Sequence, residues 1–135
     1  MDVVALIGRI LFVLVFLASG FGHLTQSPAM AGYAESKRVP APRITVLATG
    51  VLLVVGALMV LLGVWGDLGA LLLVIFLIPT AVIMHGFWSE TDPQARQLEM
   101  IQFLKDMSLA GAALVLIALF AAGDIGLTLT GPLFG

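Results

Sequence analysis

Residues 44–64 read ITVLATGVLLVVGALMVLLGV, a run of about twenty residues without a charged side chain. At about 1.5 Å per residue, an α-helix of this length covers the roughly 30 Å hydrocarbon core of a bilayer. Three further stretches share this length and apolar character, at residues 3–24, 68–87 and 105–122. Because the four stretches occupy most of the chain, they predict one all-α membrane domain over residues 1–135, a bundle of four transmembrane helices.

The composition excludes several classes of protein. Hydrophobic residues make up 61% of the chain and charged residues 10%, which is outside the usual range of soluble domains. The net charge of −2 comes without a basic cluster, so no nucleic-acid partner is expected. The chain has no cysteine, which excludes disulfides, thiolate metal ligands and a dithiol relay within the chain. Any sulfur chemistry would need a partner or a substrate to supply the sulfur.

The distribution of basic residues predicts the orientation. Four spans place the two long loops on one side of the membrane, and both termini with the short turn at residues 65–67 on the other. Five basic residues lie on the side of the long loops and only Arg9 on the other: Lys37, Arg38, Arg43, Arg96 and Lys105. The positive-inside rule then makes both long loops cytoplasmic and both termini external.

Both long loops carry signals for short interfacial helices. Ser27 followed by Pro28, and Asp92 followed by Pro93, each combine a capping residue with a proline suited to the first helical turn. The pattern after Pro93 leaves two alternatives, a helix running unbroken into the fourth span or one that bends near Phe103. Pro79 predicts a kink in the third span.

Three charged residues are expected at the external end: Arg9, Asp67 and Asp124. A charge inside a bilayer is costly, so each should find a partner or reach the interface. The sequence therefore predicts a structural ion pair between Arg9 and one of the two aspartates. A snorkelling arginine and a ligand-binding arginine remain alternatives.

Polar residues also collect at the opposite, cytoplasmic end. His23 closes the first span and His85 the third, while Lys105 and Asp106 open the fourth. Of these last two, Asp106 is the better candidate for the interior, because lysine reaches the headgroups easily. A histidine and an aspartate in a half-dry pocket can exchange a proton near neutral pH, as a quinone site requires. The candidate ligand-binding residues are His23, Thr49, His85, Trp88, Lys105 and Asp106.

Two other interpretations of the same residues stay open. They could be helix-end polar groups bonded to water and headgroups. The two histidines are also the minimum set for a bis-histidyl haem, although neither has a specific haem or zinc spacing. A metal would need Asp106 as a further ligand, so no metal site is predicted.

Two blocks of sequence resemble a known family. Gly8-Arg9-Ile10-Leu11 with Phe16, Ser19-Gly20 and His23 forms the first block, and the more specific second block runs from His85-Gly86-Phe87-Trp88 to Lys105-Asp106. Together they resemble the DoxX family of small four-helix membrane proteins over nearly the whole chain. That resemblance implies a bacterial cytoplasmic membrane protein linked to quinone-coupled sulfur oxidation and to complexes that handle oxidative and thiol stress. Family members often carry a glutamate in the second span, where this chain has Leu53.

The leading hypothesis is therefore an accessory or anchoring subunit of a quinone- or thiol-linked oxidoreductase complex. The alternative is a membrane protein that binds or, as an oligomer, transports a small molecule through the cytoplasmic-end pocket. An enzyme acting alone is less favoured, because no nucleophile or metal set is visible. Expected partners are membrane lipids, with redox-complex proteins and a second copy of the chain also considered, and Arg96 and Gln97 are placed to contact a partner or a lipid headgroup.

The orientation can be tested by cysteine labelling, because the chain has no cysteine of its own. We expect Ser36→Cys to react only with a reagent applied from the cytoplasm, and Gly135→Cys only with one applied from outside. Labelling in intact cells with a membrane-impermeant maleimide measures both positions. External labelling at Ser36→Cys would show that the predicted orientation is inverted.

Overall fold

The computed structural model describes all 135 residues and is entirely helical, which confirms the predicted fold class. It contains α1 (Asp2–Thr25), α2 (Ser27–Ser36), α3 (Pro42–Leu62), α4 (Gly66–Met84) and α5 (Pro93–Ala121), with a short 3₁₀ turn at Phe87–Ser89. Four of the helices, α1, α3, α4 and α5, are long and apolar enough to cross a membrane.

The boundary that differs most from expectation is the start of α5. The predicted fourth span began at residue 105, whereas the helix runs unbroken from Pro93 to Ala121. Asp92 caps it, with the Ala95 amide donating to Asp92 Oδ2 at 2.9 Å. No glycine or proline interrupts the backbone between this cap and Gly111. The alternative of a continuous helix is therefore the one that the structure adopts.

The other helix ends follow from local chemistry. α3 ends at Leu62, two residues before the predicted limit, because Gly63 takes a left-handed conformation with φ of 65°. α4 ends at Met84 rather than at residue 87, and the chain continues as the 3₁₀ turn. α2 lies in the first long loop as predicted, with Gln26 rather than Ser27 at its cap. The second long loop forms no separate helix beyond the 3₁₀ turn.

The helices pack in the order in which they follow one another. α1 packs on α3, α3 on α4 and α4 on α5, while α2 lies mainly against α3. Only 26 of the 135 residues are buried. The exterior is rich in exposed leucine, isoleucine and valine, so its natural environment is lipid. The core between the spans is a cluster of small and apolar side chains: Val13, Phe16, Leu53, Ala57, Val60, Ala70, Leu73, Val74, Leu77, Ala110, Ala113 and Phe120.

Glycines allow α1 and α3 to approach closely. A Cβ atom added at Gly20 would lie 2.7 Å from Val54 Cγ2 and 3.1 Å from the carbonyl oxygen of Gly50. One added at Gly50 would lie 2.8 Å from the Cβ atom of His23. Small residues at such crossings let membrane helices make backbone contact. This crossing fixes the position of His23 against α3.

Residues 123–135 fold back across the end of the bundle that also holds the α3–α4 turn, which we name the terminal end. The amides of Leu129 and Thr130 donate to the carbonyl oxygens of Leu62 and Gly63 at 3.1 and 3.0 Å. The Trp65 amide donates to Thr130 Oγ1 at 2.9 Å. These bonds attach the segment to carbonyl groups that the end of α3 would otherwise leave unpaired.

Two buried charged side chains hold the same segment. Arg9 is 1% exposed and donates to the carbonyl oxygens of Leu127 at 2.8 Å and of Gly126 and Val60 at 3.3 Å. Asp67 is fully buried and accepts the amides of Leu133 at 2.9 Å and Phe134 at 2.7 Å.

The predicted ion pair of Arg9 with Asp67 or Asp124 is therefore not formed. Backbone groups of residues 126–134 form hydrogen bonds with both Arg9 and Asp67. The sequence prediction considered only charged side chains as partners and therefore missed these groups. Asp124 lines a cavity beside Arg9 without bonding to it. The guanidinium also lies 5.9 Å from the centre of the Phe120 ring.

Arg9→Leu should destabilise the protein even though no ion pair is lost. The change removes three hydrogen bonds from a charged donor, and we expect the free energy of unfolding to fall by about 2 kcal/mol or more. Denaturant titration of the purified protein in detergent measures it, with the exposed Arg43→Leu as the matched control. If the two variants were equally stable, the hydrogen bonds of Arg9 would not contribute to the stability of the fold.

Candidate functional site

A cavity of about 550 Å³ lies at the opposite end of the bundle, which we name the loop end. All five helices contribute to its wall. Apolar side chains and small polar ones form most of it, and its histidines and charged residues come from the end of α1, the position after α4 and the middle of α5. The lining residues are Ser19, His23, Ala29, Met30, Tyr33, Ala34, Val39, Thr45, Val46, Thr49, Ile75, Phe76, Pro79, Thr80, Ile83, Met84, His85, Lys105 and Asp106.

His23 is held against α3 by its Nδ1 atom. This nitrogen lies 3.2 Å from the carbonyl oxygen of Val46 and 3.0 Å from Thr49 Oγ1. Since the carbonyl can only accept and the Thr49 hydroxyl donates to the Thr45 carbonyl at 2.7 Å, the geometry assigns the proton to Nδ1. The Nε2 atom of a neutral His23 is then a hydrogen-bond acceptor without a protein partner. The edge of the ring packs on Phe76, with ring centres 5.9 Å apart.

His85 lies between two carboxylates of α5. Its Nδ1 atom is 2.8 Å from Glu99 Oε2, and its Nε2 atom is 3.8 Å from Asp106 Oδ2. The first contact has the length of a hydrogen bond, in which Nδ1 donates when it carries the ring proton, and the second is longer than a hydrogen bond. Side-chain exposure is 20% for His85 and 19% for Glu99, so the pair lies at the edge of the bundle.

Asp106 and Lys105 face in different directions. The Asp106 side chain is 7% exposed, whereas that of Lys105 is 46% exposed. Lys105 Nζ donates to Gln102 Oε1 at 2.7 Å and lies 3.9 Å from Asp106 Oδ1. Neighbouring helix positions point about 100° apart, which accounts for the difference. Asp106 is thereby directed into the cavity while its neighbour reaches outward.

The structure brings together five of the six predicted ligand-binding residues: His23, Thr49, His85, Lys105 and Asp106. Trp88, the sixth, does not line the cavity. It is 53% exposed and packs on Phe87 and Phe103, with ring centres 5.3 and 5.6 Å away. The end of α4 at Met84 explains this, because the 3₁₀ turn carries Trp88 onto the outer side of α5.

The two residues predicted to contact a partner or a lipid lie on the outside of α5. Arg96 and Gln97 are both exposed, in the helical turn that follows the Asp92 cap. The Arg96 guanidinium lies 5.9 Å from the centre of the Phe87 ring. Neither residue lines the cavity.

Two members of the site, Glu99 and Tyr33, were not among the predicted residues. Glu99 lies seven positions before Asp106, so the two share a helix face, and this spacing could have revealed Glu99 had α5 been predicted as continuous. The Tyr33 hydroxyl donates to Glu99 Oε1 at 3.3 Å. Burial and then the Glu99 charge raise the pKa of Tyr33, so its hydroxyl stays protonated at neutral pH.

The donors of the cavity include no set of side chains for a metal ion. No group of three or more His, Asp or Glu side chains is close enough to hold one. His85 is bonded to Glu99 through Nδ1, and its Nε2 atom faces Asp106 without a hydrogen bond. The ionisable side chains that line the cavity can form hydrogen bonds and exchange protons.

Comparison with known proteins places the chain in a family. The DoxX family model matches residues 4–86, which is more than half of the chain. The chain belongs to the DoxX family. The match covers α1 to α4 and the two histidines, while Glu99 and Asp106 lie beyond it.

One relative is similar over most of the chain. The chain is 34% identical over 125 residues to the protein named inner membrane protein YphA of Escherichia coli strain K12. The alignment covers 93% of this chain and 88% of that protein. No solved structure matches the chain. The protein is thus an integral membrane protein of the DoxX family.

Gly50→Ala should disturb this site through the backbone. The added methyl group would overlap the Cβ atom of His23, so α1 must move away from α3, at a cost of about 1–3 kcal/mol. We expect lower thermal stability together with a changed NMR shift of the His23 ring. Gly111→Ala is the control, since nothing lies within 4 Å of the added atom. An unchanged His23 signal in Gly50→Ala would mean that the crossing does not position this side chain.

Proposed function

We propose that this protein binds an amphipathic, carbonyl-bearing small molecule of the quinone type in the loop-end cavity, and that it serves a membrane redox complex as an accessory subunit. The observation that carries the proposal is the composition of the cavity wall. Apolar residues of α4 line it, and His23, His85 and Asp106 stand at its edge.

The cavity fits the shape and polarity of such a ligand. Its volume of about 550 Å³ lies within the range of known small-molecule sites. Ile75, Phe76 and Ile83 offer apolar contact to a ring, and the ring of Phe76 is itself held by His23. A bound quinone would supply the coupling of electron transfer to proton transfer.

The residues of this chain would bind the ligand oxygens and hold protons. His23 Nε2 can accept a hydrogen bond from a hydroxyl and, once protonated, donate one to a carbonyl. Asp106 is positioned to act in the same way from α5. Because the cavity wall is largely apolar, each such bond contributes more than it would at the surface.

The accessory role follows from what the chain must obtain elsewhere. It has no cysteine, so thiol or sulfur chemistry requires a partner or a substrate that carries the sulfur. The family resemblance implies complexes that respond to oxidative and thiol stress. Arg96 and Gln97, exposed on the loop-end surface, are the proposed contacts to a partner protein or an anionic headgroup.

The proposed location is the bacterial inner membrane, with the loop end in the cytoplasm. The printed name of the E. coli relative supports the membrane, and the asymmetry of basic residues supports the orientation. Transport by an oligomer has less support. The cavities at the two ends share no lining residue, and the core cluster lies between them.

Binding of decylubiquinone to the purified protein tests the proposal. We expect His23→Ala and Asp106→Asn each to weaken binding by about tenfold, the effect of losing one hydrogen bond to the ligand. Calorimetry or ligand quenching of tryptophan fluorescence measures the Kd. Asp124→Asn, at the terminal end, is the matched control for the aspartate variant.

If wild-type protein fails to bind, the quinone proposal is wrong. Complementation of an oxidant-sensitive deletion strain by the same variants then tests the accessory role on its own.

A further inference from the structure

We infer that Glu99 and His85 form a proton path from the loop-end surface to Asp106 at the edge of the cavity. The inference rests on the proposed function for its purpose, which is to exchange protons with a bound ligand. Its geometry does not depend on that function. It consists of Glu99, His85 and Asp106 in a row, and of the absence of a hydrogen bond at Asp106.

Asp106 is an almost buried carboxylate without a hydrogen bond. Its side chain is 7% exposed, and its nearest charged neighbours are 3.8 Å away at His85 and 3.9 Å away at Lys105. Buried polar groups are nearly always hydrogen-bonded, because removing an ionised carboxylate from water is costly. Asp106 also lines the cavity. Its carboxylate oxygens are therefore available to a water, to a ligand group within the cavity or to a proton.

The outer half of the path is already connected. Glu99 Oε2 and His85 Nδ1 are 2.8 Å apart, which is a direct hydrogen bond. The side chain of Glu99 is 19% exposed, so water can reach it. Tyr33, on α2, donates to the other carboxylate oxygen and fixes its orientation. Glu99 can thus take a proton from water and pass it to Nδ1.

The inner half requires one short movement or one water. His85 Nε2 lies 3.8 Å from Asp106 Oδ2, about 1 Å beyond hydrogen-bond distance. Both groups line the cavity, where a water could bridge them. The step balances when it starts from the tautomer with the proton on Nε2: a protonated Glu99 gives its proton to Nδ1, and Nε2 gives its proton to Asp106. The ring is left as the Nδ1–H tautomer, and Asp106 passes its proton to a ligand oxygen. Rotation of the ring about its Cβ–Cγ bond is then needed before a second transfer.

The charged groups around the path come from several helices. Glu99 and Asp106 flank the His85 ring, while Lys105 lies on the outer side of Asp106. Lys37 of α2 pairs with Glu90 at 3.6 Å. His23 of α1 lines the same cavity, whereas α3 and the body of α4 contribute only threonines as polar groups. Neither of these two helices places a charged side chain in the cavity wall.

The test measures proton exchange at His85 without any ligand. The chain has two histidines, so protein labelled with ¹⁵N at histidine and held in lipid nanodiscs gives one reporter at His85 and an internal reference at His23. Glu99→Gln keeps the shape of the side chain but cannot carry the proton. We expect the exchange of the His85 ring proton with water to slow by about tenfold or more, since positioned acid–base groups accelerate proton transfer by larger factors.

The control is Glu90→Gln, which removes a neighbouring surface carboxylate outside the path and should leave the His85 exchange rate unchanged. Circular dichroism and a thermal melt establish that both variants are folded. An unchanged His85 rate in Glu99→Gln, or an equal slowing at both histidines, overturns the path.

Binding of decylubiquinone to Glu99→Gln separates the path from the proposed function. A wild-type Kd together with slow exchange at His85 supports both. Slow exchange in a protein that does not bind the quinone keeps the path and overturns the ligand.

Discussion

The fold depends on how buried charges are satisfied inside an apolar bundle. A charged side chain between transmembrane helices must be hydrogen-bonded, and backbone groups already used within helices are poor partners. This chain uses the irregular segment 123–135, which lies outside the helices and offers backbone amides and carbonyls that no helix occupies. Arg9 and Asp67 bind opposite ends of that segment and fasten it across the helix ends.

At the loop end of the bundle, the ionisable groups have different hydrogen-bond partners. Side chains pair with side chains there, through Tyr33, Glu99 and His85, and the series ends at an Asp106 without a hydrogen bond. A charge that is bonded to several backbone groups is suited to stability, whereas a carboxylate without a hydrogen bond is available for a ligand or a proton. The charged groups at the terminal end therefore hold segment 123–135 in place, whereas those at the loop end are available for binding and proton exchange.

Much of this could be predicted from the sequence, for identifiable reasons. Hydropathy gave the four spans and the class of fold, because only a helix satisfies its own backbone in lipid. Because His23 lies at the end of the first span and His85 at the end of the third, both were expected at the same face of the membrane. What could not be predicted depends on contacts that are distant in sequence: the partners of Arg9 are 51 or more residues away. Trp88 was misplaced because a helix end was placed three residues too late, and Glu99 was missed because α5 was not known to be continuous.

The attachment of Arg9 also has a consequence for biosynthesis. A chain is made from its N-terminus, so α1 enters the membrane with its arginine before Gly126 and Leu127 have been synthesised. Until then the guanidinium has to remain near the lipid headgroups or within the insertion machinery. A segment that follows α5 thus completes the hydrogen bonds of α1, and these contacts can form only after the fourth span has been synthesised.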